Sequence, residues 1–247
     1  MTLATVICNH TETFWEKSPE SISLTSSADI WRIPVVSDLE LLADQEALLL
    51  PYELEKSLRF RQLKDNHRFI IRKAVLRIIL SKYLRLPETE IEFIIGENKK
   101  PGLNPIHKIE LHYNVSHSGD WILIAVSDAE LGVDIEQTDT EFDYTEVLRH
   151  SFGKEEIDYI QSKGTSKKAF FTLWTRKEAL TKATSKGLDD DFPDIPCLDG
   201  KHQINTAMIW SEKNWVVSSF EVDKAYIGSI ALSPSKPLRF FDFVIDQ

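Results

Sequence analysis

The chain has 247 residues, of which 42% are hydrophobic and 28% charged, and its formal net charge is −10. This composition predicts a folded globular protein of one large or two modest domains and excludes collagenous, low-complexity and broadly disordered chains. The acidic charge argues against general nucleic-acid binding, and apolar runs such as 122–126 are too short to cross a bilayer. Since the N-terminus lacks a signal-peptide pattern, we expect a cytoplasmic protein without nucleic-acid or membrane partners.

Basic charge is concentrated in one segment of this acidic chain. Between Lys56 and Arg85 there are ten Lys or Arg residues and one acid, Asp65, which gives the segment a charge of +9 and leaves −19 for the rest. Such a segment indicates either a solvated helix face or a surface for an anionic small molecule or an acidic protein. The charge pattern alone does not separate these interpretations.

The first half of the chain predicts a strand, then helices, then short strands. The predicted segments are a strand at 30–36, a helix introduced by a capping box at 37–40, a helix from Pro51 towards Phe60, a helix at 65–83, a strand at 91–95, a loop at 96–105, and a hairpin of strands 111–116 and 121–126 around a turn at 117–120.

The second half repeats this order of elements. Residues 151–161 and 167–184 are predicted to be helical, and 215–221 with 226–232 form another predicted hairpin. The segments WILIAVS and YIGSIALS resemble each other about one hundred residues apart, which indicates duplication. We therefore expect an α+β fold that divides into residues 1–128 and 129–247.

The segment LGVDIE at 131–136 alternates like a strand but carries two acids. Residues two apart on a strand point the same way, so Val133 and Ile135 enter a core while Asp134 and Glu136 share the other face. Two carboxylates at neighbouring positions on the same face of a strand repel each other unless water or a cation separates them. A half-solvated strand end is the simpler alternative, and the segment by itself leaves both open.

A third acid lies on a helical stripe in the second half. Helical spacing places Trp174, Glu178 and Lys182 on one face, and Trp174 with Phe171 should hold that face against the fold. Taken alone, the stripe favours an ordinary Glu–Lys surface pair beside a core tryptophan. If Glu178 joins the two acids of LGVDIE, the result is an oxygen-rich site for a hard cation such as Mg²⁺.

Ordered motifs between Trp31 and Leu188 resemble one known family, the two-lobed, surfactin-synthetase-type 4′-phosphopantetheinyl transferases. The motifs are RFRQLKDNHRFIIRKAVLR, KKP at 99–101, NVSHSGDW, GVDIE, SFGKEE and FFTLWTRKEALTKATSKGL. The resemblance implies a fold of two similar, pseudo-duplicated lobes, each a small antiparallel sheet packed with a long helix. It also implies transfer of 4′-phosphopantetheine from coenzyme A to a serine of an apo acyl or peptidyl carrier domain, with release of 3′,5′-ADP.

The resemblance also assigns roles to residues of this chain. It implies that Asp134, Glu136 and Glu178 hold Mg²⁺ together with the pyrophosphate of coenzyme A. Glu156 would be the base that takes the serine proton, and Lys182 would neutralise phosphate charge. The residues implied in binding coenzyme A, in addition to Lys182, are Lys56, Arg68, Lys100, Ser116 and His117, with His117 expected at the 3′-phosphate. The chain would act as a monomer, because it already contains both lobes.

Some positions leave alternatives. Glu155 is adjacent to Glu156, and a water on the cation could also take the serine proton, so the base is not settled by the motif. Lys99 and Ser185 stand where the family commonly has glycine, which affects loop geometry rather than the carboxylates. The segment 189–209 matches little, so carrier preference cannot be read there.

Three other functions remain open at this stage. The same carboxylates would suit a phosphohydrolase acting on a nucleotide, and a degenerate pair of lobes would only bind carrier proteins. A basic-helix nucleic-acid binder is disfavoured by the net charge of −10. The intact set of Asp134, Glu136, Glu178 and Lys182 argues for catalysis over binding alone.

Overall fold

The computed structural model describes residues 2–19, 22–23, 26–35, 39–96, 98, 100–138, 141–163 and 166–244. Within these ranges the chain has a mixed α+β fold, as expected. The strands are β1 (Leu3–His10), β2 (Trp15–Lys17), β3 (Ala28–Pro34), β4 (Phe93–Ile95), β5 (Pro101–Leu103), β6 (His112–Ser118), β7 (Trp121–Ser127), β8 (Glu130–Gln137), β9 (Gly200–Asn205), β10 (Trp215–Asp223), β11 (Tyr226–Ser233) and β12 (Leu238–Asp242). The helices are α1 (Leu39–Glu46), α2 (Pro51–Ser57), α3 (Leu63–Leu84), α4 (Thr145–Ser151), α5 (Lys154–Ser162), α6 (Ser166–Thr184) and α7 (Thr206–Ile209).

Two five-stranded sheets carry most of the strands. The strand order is β2-β12-β3-β7-β6 in the first sheet and β8-β11-β10-β1-β9 in the second, while β4 and β5 form a separate hairpin. The expected antiparallel sheets are a wrong prediction, because both are mixed. Strand β1 runs parallel to β10, and β12 runs parallel to β2 and β3.

The sheets pack face to face, and a long helix covers the outer face of each. Between the sheets lies an apolar layer that includes Ile30 and Leu123 from the first sheet and Val133 and Ile230 from the second. Helix α3 packs on the first sheet through a cluster that includes Ile71, Val75, Trp31 and Ile124. Helix α6 packs on the second through Ala179, Leu180, Val217 and Ala231. Each sheet therefore buries both of its faces.

Several predicted boundaries change in the structure. The helix predicted at 151–161 corresponds to α5, which begins three residues later because Phe152 has an extended backbone and Gly153 is the N-cap. A second short helix, α4, precedes it and was not predicted. The predicted loop at 96–105 contains β5, which pairs with β4. Strand β6 continues through Ser118, so the turn to β7 is shorter than expected and uses Gly119 at a φ of 53°. The capping box expected at 37–40 includes residues outside the described ranges.

The first and last strands each join the sheet formed mainly by the other half of the chain. Strand β1 lies beside β10, and β12 lies beside β3. The division into 1–128 and 129–247 stays a prediction. In the described part of the chain, no helix combines the length and the hydropathy needed to cross a membrane.

Candidate active site

The edge strands β6 and β8 meet at a seam between the two sheets, where side chains link them. Asn114 on β6 accepts a hydrogen bond from the backbone N–H of Val133 at 2.9 Å. Ser118 on β6 accepts one from the backbone N–H of Gln137 at 3.1 Å. The side-chain groups on the outward face of β8 therefore lie next to those at the end of β6.

The alternation predicted for LGVDIE is confirmed. Val133 and Ile135 are fully buried between the sheets. Asp134 is buried and Glu136 is half-buried, and the two share the face of β8 that turns away from that core.

Gly132 allows helix α6 to approach β8 closely. A Cβ atom at residue 132 would lie 2.2 Å from the backbone oxygen of Ala179 and 2.3 Å from the backbone nitrogen of Ala183. No other residue type fits that contact, so glycine is required here for space. The close approach places Glu178 and Lys182, one helical turn apart on α6, over the acids of β8.

Asp134 is the centre of the contacts at the seam. Its Oδ1 atom accepts a hydrogen bond from Ser116 Oγ at 2.8 Å and lies 2.5 Å from Lys182 Nζ. Lys182 Nζ also donates to Ser116 Oγ at 3.0 Å. The Oδ2 atom of Asp134 is buried and has no hydrogen-bond partner among the residues that the structure describes, which is unusual for a carboxylate oxygen.

The pKa values of all three carboxylates at the seam are raised. Burial, followed by the charge of Asp134, raises the pKa of both Glu136 and Glu178 to about 7. Burial also raises the pKa of Asp134, although Lys182 and Ser116 oppose the rise. A positive charge placed among these groups would relieve both the repulsion and the cost of burial.

The side chains are not arranged as a metal cage. Within the ranges that the structure describes, no group of three or more His, Cys, Asp or Glu side chains could hold a metal ion as placed. The ammonium group of Lys182 is the cation in contact with Asp134 in this arrangement. Glu136 instead accepts a hydrogen bond from Ser118 Oγ at 2.9 Å.

His117 lies beside Arg68 and Arg72 of helix α3. The residue is exposed at one side, yet its pKa is lowered to about 4. The larger cause is partial burial of the imidazole ring, and the smaller is repulsion from the two arginines. Arg68 forms an ion pair with Asp65 at 2.5 Å. Arg72 was not among the sequence-predicted site residues, although it lies in the basic segment and in the motif RFRQLKDNHRFIIRKAVLR.

Lys56 and Lys100 differ in their exposure and contacts in the ligand-free protein. Lys56 is exposed, with its Nζ 5.7 Å from the centre of the Phe69 ring. Lys100 Nζ donates to the backbone oxygens of Ala183 at 3.0 Å and Leu131 at 3.2 Å, and burial lowers its pKa to about 8. Lys100 lines a cavity of 680 Å³ at the C-terminal end of α6, which Ser185 also lines.

Glu156 is not placed with the other carboxylates. It is buried at the start of α5, where it forms an ion pair with Lys177 at 2.8 Å and accepts a hydrogen bond from the backbone N–H of Gly153 at 3.1 Å. The structure therefore brings together Asp134, Glu136, Glu178, Lys182 and Ser116, and it holds Glu156 elsewhere in the second half.

An aromatic pocket adjoins the carboxylates on the side of α6. It has a volume of 360 Å³, and its lining residues include Ser118, Glu136, Phe142, Phe171 and Trp174. The sequence indicated that Trp174 and Phe171 hold the helix face, but Phe142 gave no signal, because it is far from them along the chain.

Comparison with known proteins finds similarity to one family along most of the chain. A family model described as "4'-phosphopantetheinyl transferase, N-terminal" matches residues 34–129, and one described as "4'-phosphopantetheinyl transferase superfamily" matches residues 130–231. The 4'-phosphopantetheinyl transferase psf-1 of Bacillus pumilus is 33% identical over 181 residues, which cover 72% of this chain and 76% of that protein.

Two further relatives show the same similarity. The 4'-phosphopantetheinyl transferase Sfp of Bacillus subtilis is 29% identical over 185 residues, or 73% of this chain and 80% of that protein. A putative 4'-phosphopantetheinyl transferase of Synechocystis is 33% identical over 162 residues, which cover 64% of this chain and 65% of that protein.

Proposed function

Because the chain belongs to the 4′-phosphopantetheinyl transferase superfamily, we propose that it transfers 4′-phosphopantetheine from coenzyme A to a serine of an apo-carrier protein. The product would be a holo-carrier protein, with 3′,5′-ADP as the leaving group. The partner class is an acyl or peptidyl carrier domain. A monomeric state and a cytoplasmic location stay predictions.

The three carboxylates at the seam, gathered beside Lys182, carry this proposal. Phosphoryl transfer mostly requires alignment and neutralisation of charge, and little covalent chemistry from the protein. A group of acids with raised pKa values is costly for the folded protein unless it serves to hold positive charge.

Mg²⁺ fits this donor set, because it prefers carboxylate oxygens and leaves positions for phosphate oxygens. We propose that Asp134, Glu136 and Glu178 hold the ion, and the unpartnered Oδ2 atom of Asp134 supports this. Glu136 and Glu178 would have to move towards Asp134, since the described side chains do not form a cage. When bound, Mg²⁺ would neutralise the pyrophosphate of coenzyme A and polarise the reacting phosphorus.

Lys182 and Ser116 would orient the phosphate groups from the other side of Asp134. Lys182 Nζ already lies within hydrogen-bond distance of both Asp134 and Ser116. An ammonium group in this position can donate to a phosphate oxygen while it remains close to the carboxylate. Its charge would balance negative charge that moves towards the leaving group.

The basic groups of the first half would bind the rest of coenzyme A. His117 is neutral at pH 7 in the ligand-free protein, because its pKa is about 4. A phosphate placed between His117, Arg68 and Arg72 would offset the repulsion between the two arginines and would favour the protonated form of His117. The 3′-phosphate is the proposed occupant. Lys56 and Lys100 stay predicted contacts, and Lys100 would have to exchange a backbone oxygen for phosphate.

The two halves are proposed to be pseudo-duplicated lobes. Each contributes most of one sheet and one long outer helix, α3 or α6, and the two sheets face each other. The two family models meet between residues 129 and 130, which supports a division close to residue 128. The active site then lies at the edge where the lobes join.

Mass spectrometry of an apo-carrier protein tests the transferase proposal. The carrier is incubated with coenzyme A and the protein, with Mg²⁺ in one reaction and EDTA in a matched one. The expected result is a gain of one phosphopantetheine on the carrier with Mg²⁺ and none with EDTA. Hydrolysis of coenzyme A without a mass gain would indicate a phosphohydrolase, and carrier binding without either reaction would indicate a binding protein.

A further inference from the structure

Both oxygens of Glu156 are occupied by groups that lie away from the seam. Oε2 accepts from the backbone N–H of Gly153 at 3.1 Å and lies 2.8 Å from Lys177 Nζ. Oε1 accepts from the backbone N–H of Cys197 at 3.1 Å and from its Sγ at 3.0 Å. A general base needs an oxygen within hydrogen-bond reach of the proton it accepts, and these contacts leave Glu156 poorly placed for that task.

Lys177 is as completely enclosed as its partner. Its side chain has no exposed surface, and Nζ donates to the backbone oxygens of Pro193 at 2.7 Å and Phe192 at 3.3 Å. The ammonium group also lies 5.0 Å from the centre of the Phe152 ring. Lys177 immediately precedes Glu178 on α6, so whatever fixes Lys177 also fixes the rotation of the helix at Glu178.

The first half contains the same arrangement without a carboxylate cluster. Glu53 is the third residue of α2, as Glu156 is of α5. Each accepts a hydrogen bond at 3.1 Å from the backbone N–H of the N-cap residue of its own short helix, Leu50 or Gly153. Glu53 is buried and lies 3.0 Å from Lys73 and 2.9 Å from Arg77, both on the long helix that follows. A buried carboxylate that ties a short helix to a long one is therefore a feature of both halves.

We propose that Glu156 is a positioning residue, which acts through Lys177 to hold α6 so that Glu178 and Lys182 face Asp134. This inference rests on the proposed transferase function and replaces the sequence-based expectation that Glu156 is the base. Removing one member of a buried ion pair leaves an uncompensated charge, whereas replacing both members is often tolerated. If Glu156 only holds α6 in place, its carboxylate should therefore be dispensable once Lys177 is also replaced.

A double-mutant cycle separates the two roles. The variants are Glu156→Gln, Lys177→Met and the double variant, with Glu53→Gln as a matched control in the other half. For each, kcat, the KM for coenzyme A and the thermal midpoint are measured with an apo-carrier protein. We expect each single variant in the second half to lose about 10–100-fold in kcat, because small displacements of aligned groups have effects of that size.

The expected result is recovery of both kcat and the thermal midpoint in the double variant relative to the single variants. Glu53→Gln should lower the thermal midpoint while leaving kcat at saturating coenzyme A close to that of the wild-type protein. A folded double variant that stays as inactive as Glu156→Gln would overturn the proposal, because the carboxylate itself would then be needed. An equal kcat loss in Glu53→Gln would also overturn it.

The same experiment also gives a result when the single variants do not fold or when the wild-type protein shows no transfer. If the single variants do not fold, the double variant decides alone: activity supports the positioning role, and a folded but inactive protein contradicts it. If the wild-type protein shows no transfer, the proposed function fails, and the thermal midpoints still report whether Glu156 and Lys177 act as a pair.

Discussion

The two halves of the molecule share a scaffold but carry opposite charges at the seam. In each half, a buried glutamate in the first turn of a short helix ties that helix to a long helix that covers a sheet. Around the seam, the first half supplies Arg68, Arg72 and His117, and the second supplies the three carboxylates and Lys182. The scaffold does not determine the chemistry, which depends on the few residues that each half presents.

The pKa of Glu53, which ties two helices together, is shifted in the opposite direction from the pKa values of Glu136 and Glu178 at the seam. Burial would raise the pKa of Glu53, but the backbone N–H of Leu50 and the ammonium group of Lys73 hold it below its ordinary value. At the seam, burial and mutual repulsion raise the pKa values of Glu136 and Glu178 instead. Glu53 is paired with two cations, Lys73 and Arg77, whereas the three carboxylates of the site share the single ammonium group of Lys182.

The largest expected effect is loss of a carboxylate at the seam. We expect Asp134→Ala and Glu178→Ala each to reduce transfer by about 100-fold or more, because each removes a ligand of the proposed cation. Circular dichroism and the thermal midpoint check that the variants are folded. The matched control is Glu55→Ala, an exposed acid of the first half. Near-full activity of folded Asp134→Ala would contradict the assignment.

The next largest effect concerns the spacing between α6 and β8. Gly132→Ala should destabilise the fold by about 1–3 kcal/mol and reduce kcat, since the added Cβ would meet the backbone of α6. Gly102→Ala is the matched control, because a Cβ there has no atom within 4 Å. Denaturant unfolding and steady-state kinetics measure both effects. A neutral Gly132→Ala would show that the close approach is not needed.

A smaller effect is expected in the basic half. His117→Ala should raise the KM for coenzyme A by roughly tenfold with little change in kcat, because its proposed phosphate is remote from the reacting phosphorus. Kinetics with 3′-dephospho-coenzyme A provide the comparison. If His117 contacts the 3′-phosphate, His117→Ala should raise the KM for 3′-dephospho-coenzyme A only slightly, because that substrate already lacks the group that His117 binds. Fully additive losses would assign His117 another role.

The smallest expected effect is on stability as a function of pH. Protonated Glu136 and Glu178 stabilise the metal-free protein below about pH 4.5, and this contribution is lost as pH rises through their pKa values of about 7. The lowered pKa of His117 acts in the opposite direction. To isolate the contribution of Glu178, the thermal midpoints of the wild-type protein and of Glu178→Gln are measured from pH 5 to 8 and subtracted at each pH. Identical profiles would contradict it.

Sequence patterns predicted the parts of the site that depend on local periodicity. The alternation at 131–136 and the helical stripe from Trp174 to Lys182 are short-range features, and both occur in the structure. The end strands were missed, because β1 pairs with β9 and β10 about two hundred residues away and its pattern alone does not reveal a partner. The mixed character of the sheets follows from the same long-range pairing.

The prediction for Glu156 shows a different limit. Its position in the motif was visible in the sequence, but its surroundings depend on Lys177 and Cys197, which come from distant segments. The start of α5 at Lys154 is locally encoded by Gly153 as the N-cap residue, although the helical pattern placed it at residue 151. Motif position therefore identifies a residue more readily than it identifies what that residue does.

Titration of Mg²⁺ into the protein by calorimetry tests the central claim most directly. At pH 7, Glu136 and Glu178 are each about half-protonated in the metal-free protein, because their pKa values are about 7. Measurements in two buffers of different ionisation enthalpy report the protons released on binding. We expect one ion to bind with release of about one proton, and Glu178→Gln to release fewer. Absence of Mg²⁺ binding, or binding without proton release, would contradict a cation site at the three carboxylates.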